Sequence, residues 1–157
     1  MNPTALVIED QREVLDTLLQ DLQALPSLKL IPCESASEAE EVLLSMQENG
    51  EFPLLLICDH VMPEENGIEF LIRIKSEGLR SSAACILLTG MATHEDTIRA
   101  INEVKVTAYI AKPWDHEDLI LKIRQALTFR MYELGMTPSA HEDLWDARTL
   151  WELSSAS

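Results

Sequence analysis

A chain of 157 residues, 46% of them hydrophobic, is long enough for one domain with its own core and a modest extension. Its 27 acidic residues outnumber 12 basic ones, for a formal charge of −15, which argues against direct binding to nucleic acid or to an anionic membrane, since both rely on Lys and Arg meeting phosphates. No apolar run approaches the roughly 20 residues that span a bilayer, the start lacks the basic stretch of a secretory signal, and Cys33, Cys58 and Cys85 show neither zinc nor disulfide spacing, so a reducing cytoplasm is the expected setting.

The first predicted element is a strand over Thr4–Glu9 (TALVIE), short, apolar and partly β-branched, as suits burial on both faces. Val14, Leu15, Leu18, Leu19, Leu22 and Leu25 then recur at helical spacing up to Pro26. Leu28–Cys33 reads as a weaker strand broken by Pro32. Ser35 or Ser37 is placed to cap a helix that turns Ala39, Val42, Leu43 and Met46 inward and stops at Asn49-Gly50. Pro53 opens the clearest buried strand, LLLICD, and the turn-rich Pro63–Gly67 leads to a helix carrying Ile68, Leu71, Ile72 and Lys75. Ala84–Leu88 is another buried strand, closing at Thr89-Gly90, and a helix is expected from about Glu95 to Val104. Ala108–Ala111 makes a fifth strand stopped by Lys112-Pro113, and Asp115 can cap a helix with Leu119, Ile120, Ile123 and Leu127 inward.

Strand and helix thus alternate five times, which parallel strands with crossover helices satisfy economically. From about Thr128 the pattern changes, giving a division into residues 1–129 and a helical extension at 130–157. In the extension, Leu144, Trp145, Ala147, Leu150, Trp151 and Leu153 are expected on one amphipathic helix.

Open parallel sheets put their sites beyond the carboxyl ends of the strands. Those ends carry Glu9-Asp10 on the first strand, Asp59 on the third, Thr89 on the fourth and Lys112 on the fifth. Gathered on one edge, three carboxylates repel one another, and a hard divalent cation relieves this; Mg²⁺ suits one or two carboxylates and a phosphate oxygen. With Lys112 as a second positive charge, the edge suits an incoming phosphoryl group, and a carboxylate there can act as the nucleophile.

The segments V-I-E-D, D-H-V-M-P-E-E-N-G, L-L-T-G and Y-I-A-K-P-W resemble the response regulator receiver family over about Thr4–Phe129. The fold this implies is α/β, a flavodoxin-like five-fold sandwich with a parallel sheet of order 2-1-3-4-5, an order that general fold rules assign to these proteins. The resemblance makes Asp59 the phosphoacceptor, Asp10 the direct metal ligand, Glu9 a ligand acting mainly through water, and the Val61 backbone carbonyl the third protein ligand to Mg²⁺. Thr89 and Lys112 would contact phosphoryl oxygens, the Lys112–Pro113 bond would be cis, and Thr89 and Tyr109 would move together on phosphorylation. The implied partners are a sensor histidine kinase or a phosphotransfer protein, and the face built from the fourth helix, fifth strand and fifth helix also allows a homodimer. Such a chain is not an enzyme beyond its own phosphorylation and slow dephosphorylation. Slow loss is expected because Val61 and Met91, two residues past Asp59 and Thr89, are apolar and cannot orient water. His60, His94, His116 and His141 lack ligand spacing and read as structural or surface residues.

Three rivals remain at this point. A haloacid-dehalogenase-type phosphatase needs a second Asp where this chain has Val61. A flavodoxin needs a phosphate-cradling loop where this chain has Glu9-Asp10-Gln11-Arg12, and acids there repel FMN. A receiver-like interaction module that takes no phosphate would have no need of the full acidic set.

Overall fold

The computed structural model describes residues 2–79, 83–90 and 94–156. The strands are β1 (Thr4–Ile8), β2 (Lys29–Cys33), β3 (Leu55–Asp59), β4 (Ala84–Thr89) and β5 (Ala108–Ala111). They form one sheet of order β2-β1-β3-β4-β5, parallel at every pairing. The helices are α1 (Arg12–Asp21), α2 (Ala36–Glu48), α3 (Gly67–Ser76), α4 (His94–Arg99), α5 (His116–Glu133) and α6 (Ala147–Ala156). The fold class expected from the alternation is the one observed.

The central strands are buried on both faces, so alternate residues feed two cores. Ala5, Val7, Leu55, Ile57, Ile86 and Leu88 meet Leu15 and Leu18 of α1 and Leu119 and Ile123 of α5. Leu6, Ile8, Leu56, Cys58, Cys85 and Leu87 meet Leu43 of α2, Ile68 and Leu71 of α3, and Ala100 and Val104 beyond α4. All three cysteines are buried and in no disulfide, and burial pushes the Cys33 thiol up to about 12, so they pack as small hydrophobes.

The caps explain where the helices begin. Ser35 accepts from the Glu38 N–H, Asn66 from that of Glu69, and Asp115 from that of Asp118. Of the two serines, Ser35 caps α2. Gly50, Gly78 and Gly135 lie at positive φ just past α2, α3 and α5, where a left-handed residue closes a helix.

Three expectations need correction. Pro32 does not break its strand: β2 is an edge strand, Pro32 pairs with Val7 inside it, and the missing N–H is tolerated where no further strand follows. The first helix ends at Asp21 and continues as a single 3₁₀ turn, Leu22–Ala24, short of Pro26. The extension is not one helix. A 3₁₀ turn at Glu142–Leu144 and an extended Trp145 precede α6, because Asp146 accepts from the N–H and hydroxyl of Thr149 and starts a new helix there.

The extension is stitched to the domain. Leu144 and Trp145 are buried in the same core as α1 and α5. Asp143 accepts from the N–H and the hydroxyl of Ser27, at 2.9 and 2.5 Å. The Asp146 N–H donates to the fully buried Thr128 hydroxyl at 2.7 Å, and Arg124 donates to the Trp145 carbonyl. α5 runs unbroken through residue 129, one side on the sheet and another under the extension. Trp151 stays 70% exposed.

Candidate functional site

The register brings the strand ends level. Ile8 pairs with Cys58, Asp59 with Leu88, and Thr89 with Ala111, so Glu9, Asp59, Thr89 and Lys112 emerge along one edge of the sheet. Oxygen atoms of Glu9, Asp10 and Asp59 lie within 4.8 Å of one another. Lys112 bridges two of these carboxylates, its Nζ 2.7 Å from Asp59 Oδ1 and 2.8 Å from Glu9 Oε2. Glu9 and Asp59 are buried, and Asp10 and Lys112 are half-buried. The Lys112–Pro113 peptide is cis, as the resemblance implies.

Burial raises the pKa of Glu9 and of Asp59; Lys112 pulls both back only in part, while Asp59 further raises Glu9 and Asp10 further raises Asp59. Burial pulls the Lys112 pKa down, but its hydrogen bonds to Asp59 and Glu9 outweigh this and hold it above its ordinary value. Three carboxylates and one ammonium leave two uncompensated negative charges when all are ionised. One carboxylate atom, Asp10 Oδ1, is buried and has no hydrogen-bond partner among the described residues. An orphaned oxygen in an all-oxygen cluster with two surplus negative charges fits a hard divalent cation.

A pH dependence follows. A carboxylate whose native pKa lies above its unfolded value binds more protons when folded, so stability falls as pH rises from about 4 through the native pKa. In chelator, this cluster's contribution to the melting temperature should be largest below about pH 4 and fall as pH rises above it. Millimolar Mg²⁺ at pH 7 should restore it, and Glu9→Gln should flatten the curve. Thermal melts across pH, with and without Mg²⁺, check this; a rise in stability from pH 5 to 8 in chelator, specific to wild type, would count against it.

Other residues hold the loops that carry these groups. Asp21 at the end of α1 accepts from the Trp114 indole N–H at 2.6 Å and lies 3.0 Å from His116 Nδ1, tying down the segment just past Lys112. Arg73 of α3 reaches Glu65 through two 2.9 Å bonds and also pairs with Glu40 and Glu77, anchoring the loop after β3 to α2 and α3. Gly67 donates its N–H to the His60 carbonyl at 2.7 Å, and a Cβ on it would run into the Asp59 carbonyl oxygen.

The structure brings Glu9, Asp10, Asp59 and Lys112 into contact, with Thr89 buried at the neighbouring strand end. Val61 is 65% exposed in the loop, Pro113 follows Lys112, and Tyr109 is half-buried against the second core. Met91 lies outside the described residues. Of its two readings, structural or surface, His60 follows the structural one: it is buried, with Nδ1 3.3 Å from Thr89 Oγ1, and its backbone is pinned between Leu88 of β4 and Gly67 of α3. His116 is exposed, as expected. Sequence reasoning missed Asp21, whose polar side chain carries no periodic signal, and the close approach at Gly67, hidden inside an Asn-Gly turn signature.

Comparison with known proteins agrees with this geometry. The model of the response regulator receiver domain matches residues 5–124. The hydrogenase transcriptional regulatory protein HoxA of Cupriavidus necator is 31% identical over 124 residues, 79% of this chain and 24% of its own. The phosphate regulon transcriptional regulatory protein PhoB of Escherichia coli is 26% identical over 105 residues, 60% of this chain and 45% of its own. The signal receiver domain of an HD domain-containing protein from Pseudomonas fluorescens is 32% identical, with TM-score 0.74, over 84% of this chain and 99% of that one. This chain spans about a quarter of the length of the HoxA relatives.

Proposed function

The chain belongs to the response regulator receiver domain family, and from that premise we propose that Asp59 is the residue that takes the phosphoryl group. Receiver domains are signalling modules, and this one has among its described residues no helix long and apolar enough to cross a membrane. The observation that carries the assignment is the cluster itself: Asp59 has both an ammonium at 2.7 Å and the oxygens of Glu9 and Asp10 within 4.8 Å.

The chemistry is a displacement at phosphorus. An Asp59 carboxylate oxygen forms the new P–O bond while the bond to the donor's leaving group breaks, and that group departs with the electron pair. Lys112 neutralises charge on Asp59 and then on the transferred oxygens. Asp10, Asp59 and the Val61 carbonyl would hold Mg²⁺, with Glu9 acting mainly through bound water; bound there, the ion neutralises phosphoryl oxygens. Thr89 would donate its hydroxyl to a phosphoryl oxygen, and Tyr109 would follow as the α4–β5–α5 face changes, a local charge event biasing a two-state element. The donor is a sensor histidine kinase or a phosphotransfer protein, the setting cytoplasmic, and the altered face one on which a second copy can dock. Val61 and Met91 would leave self-dephosphorylation slow. The receiver is read as residues 1–129 and the helical extension as 130–157, with the division inside α5.

Incubation with Mg²⁺ and acetyl phosphate, followed by intact-mass measurement and peptide mapping, tests this. One phosphate should appear, only with the divalent cation, on the peptide carrying Asp59. No gain in mass would instead favour an interaction module that takes no phosphate.

A further inference from the structure

Among the described residues, every buried polar side chain at these strand ends has a role in the reading above except His60. It follows Asp59 directly, is buried, and has its backbone fixed at both ends: its N–H donates to the Leu88 carbonyl at 2.8 Å and its carbonyl accepts from Gly67 at 2.7 Å. The side chain therefore has little freedom to move. Its Nδ1 lies 3.3 Å from Thr89 Oγ1. Among the described residues, Thr89's hydroxyl has this hydrogen bond and none to Asp59.

We propose that His60 is a positioning residue that holds the Thr89 hydroxyl away from the acceptor until a phosphoryl group arrives. This rests on the reading of Asp59 as acceptor and of Thr89 as the hydroxyl that turns to the phosphoryl group. In the tautomer this requires, with the proton on Nε2, Nδ1 accepts the single Thr89 hydroxyl proton, and a buried hydroxyl does not leave a partner without replacing it. The phosphoryl oxygen is that replacement. The His60–Thr89 bond therefore sets how readily the domain adopts its phosphorylated form, and breaking it beforehand favours that form.

The probe is beryllofluoride with Mg²⁺, a stable phosphoryl mimic, titrated against the full chain. His60→Leu removes the ring nitrogen and should tighten beryllofluoride binding about fivefold, the effect of one neutral hydrogen bond. His60→Asn keeps a polar atom close to where Nδ1 stands and should restore affinity near that of the wild type. On a Thr89→Ala background, His60→Leu should change nothing, because the effect runs through Thr89. Equal or weaker binding by His60→Leu, or a gain that persists without Thr89, overturns the proposal. A wild type that binds no beryllofluoride instead defeats the reading of the site.

Should the buried substitutions fail to fold, ring-nitrogen NMR on the wild type decides the matter. The His60 Nδ1 resonance should move when beryllofluoride draws Thr89 away, and an unmoved Nδ1 overturns the proposal.

Discussion

Asp59→Asn will take no phosphate from acetyl phosphate and will melt higher than the wild type in chelator. The first effect is chemical. An amide oxygen is a poor nucleophile where a carboxylate oxygen can act as one. The second effect is electrostatic, with two opposed parts. The substitution removes an ion pair with Lys112, and it removes a buried charge facing Asp10. Burial and Asp10 together outweigh Lys112, which is why the Asp59 pKa is raised, so the neutral side chain is the better tenant of the metal-free fold. Lys112 keeps Glu9 as partner and is not stranded. Each kcal/mol relieved should raise the melting temperature by roughly 2–4 °C at this chain length. Intact mass and thermal melts on one preparation check both, and a variant that gains phosphate like the wild type moves the acceptor elsewhere.

Gly67→Ala will destabilise the domain by about 3 kcal/mol, the upper end of overpacking costs, lowering the melting temperature by roughly 10 °C. Helix propensity argues the other way, since Ala in place of Gly favours a helix by about 1 kcal/mol. Gly67 does not stand at positive φ, so backbone conformation imposes no need for glycine. Sterics decide. The new Cβ would overlap the Asp59 carbonyl oxygen, with the Asp59 carbonyl carbon at 3.0 Å and Cys58 Sγ at 3.1 Å. These atoms belong to a buried central strand paired on both sides, so they cannot step aside. Any relief has to come from α3 moving outward, which breaks the Gly67 N–H bond to the His60 carbonyl. Equal or higher stability in urea melts would show that α3 is free to slide.

The sheet was legible because buried parallel strands read as apolar runs and because the polar residues that end them are unlike anything inside them. Glu9, Asp59, Thr89 and Lys112 each sit where such a run stops, and parallel pairing forces those stops onto one edge. What escaped were contacts that depend on depth rather than on pattern. His60 looks like a loop residue, yet the N-terminus of α3 and the end of β4 close over it. Pro32 reads as a breaker only to someone unaware that its strand lies at the edge. The split before α6 did carry a signal, Asp146 followed by Thr149 three residues on, but two tryptophans and three leucines at helical spacing masked it.

The seam between the domain and its extension behaves as a weld. Lifting the segment before α6 off the domain means taking Leu144 and Trp145 out of a closed interior and undoing the grips at Ser27, Thr128 and Arg124. Removing one such large apolar side chain from a core costs about 2–5 kcal/mol, so ordinary thermal motion leaves the joint shut. The grip lies before α6: that helix has no buried residue and Trp151 stays exposed on it, so the extension is fixed at its root and open to solvent along its last helix.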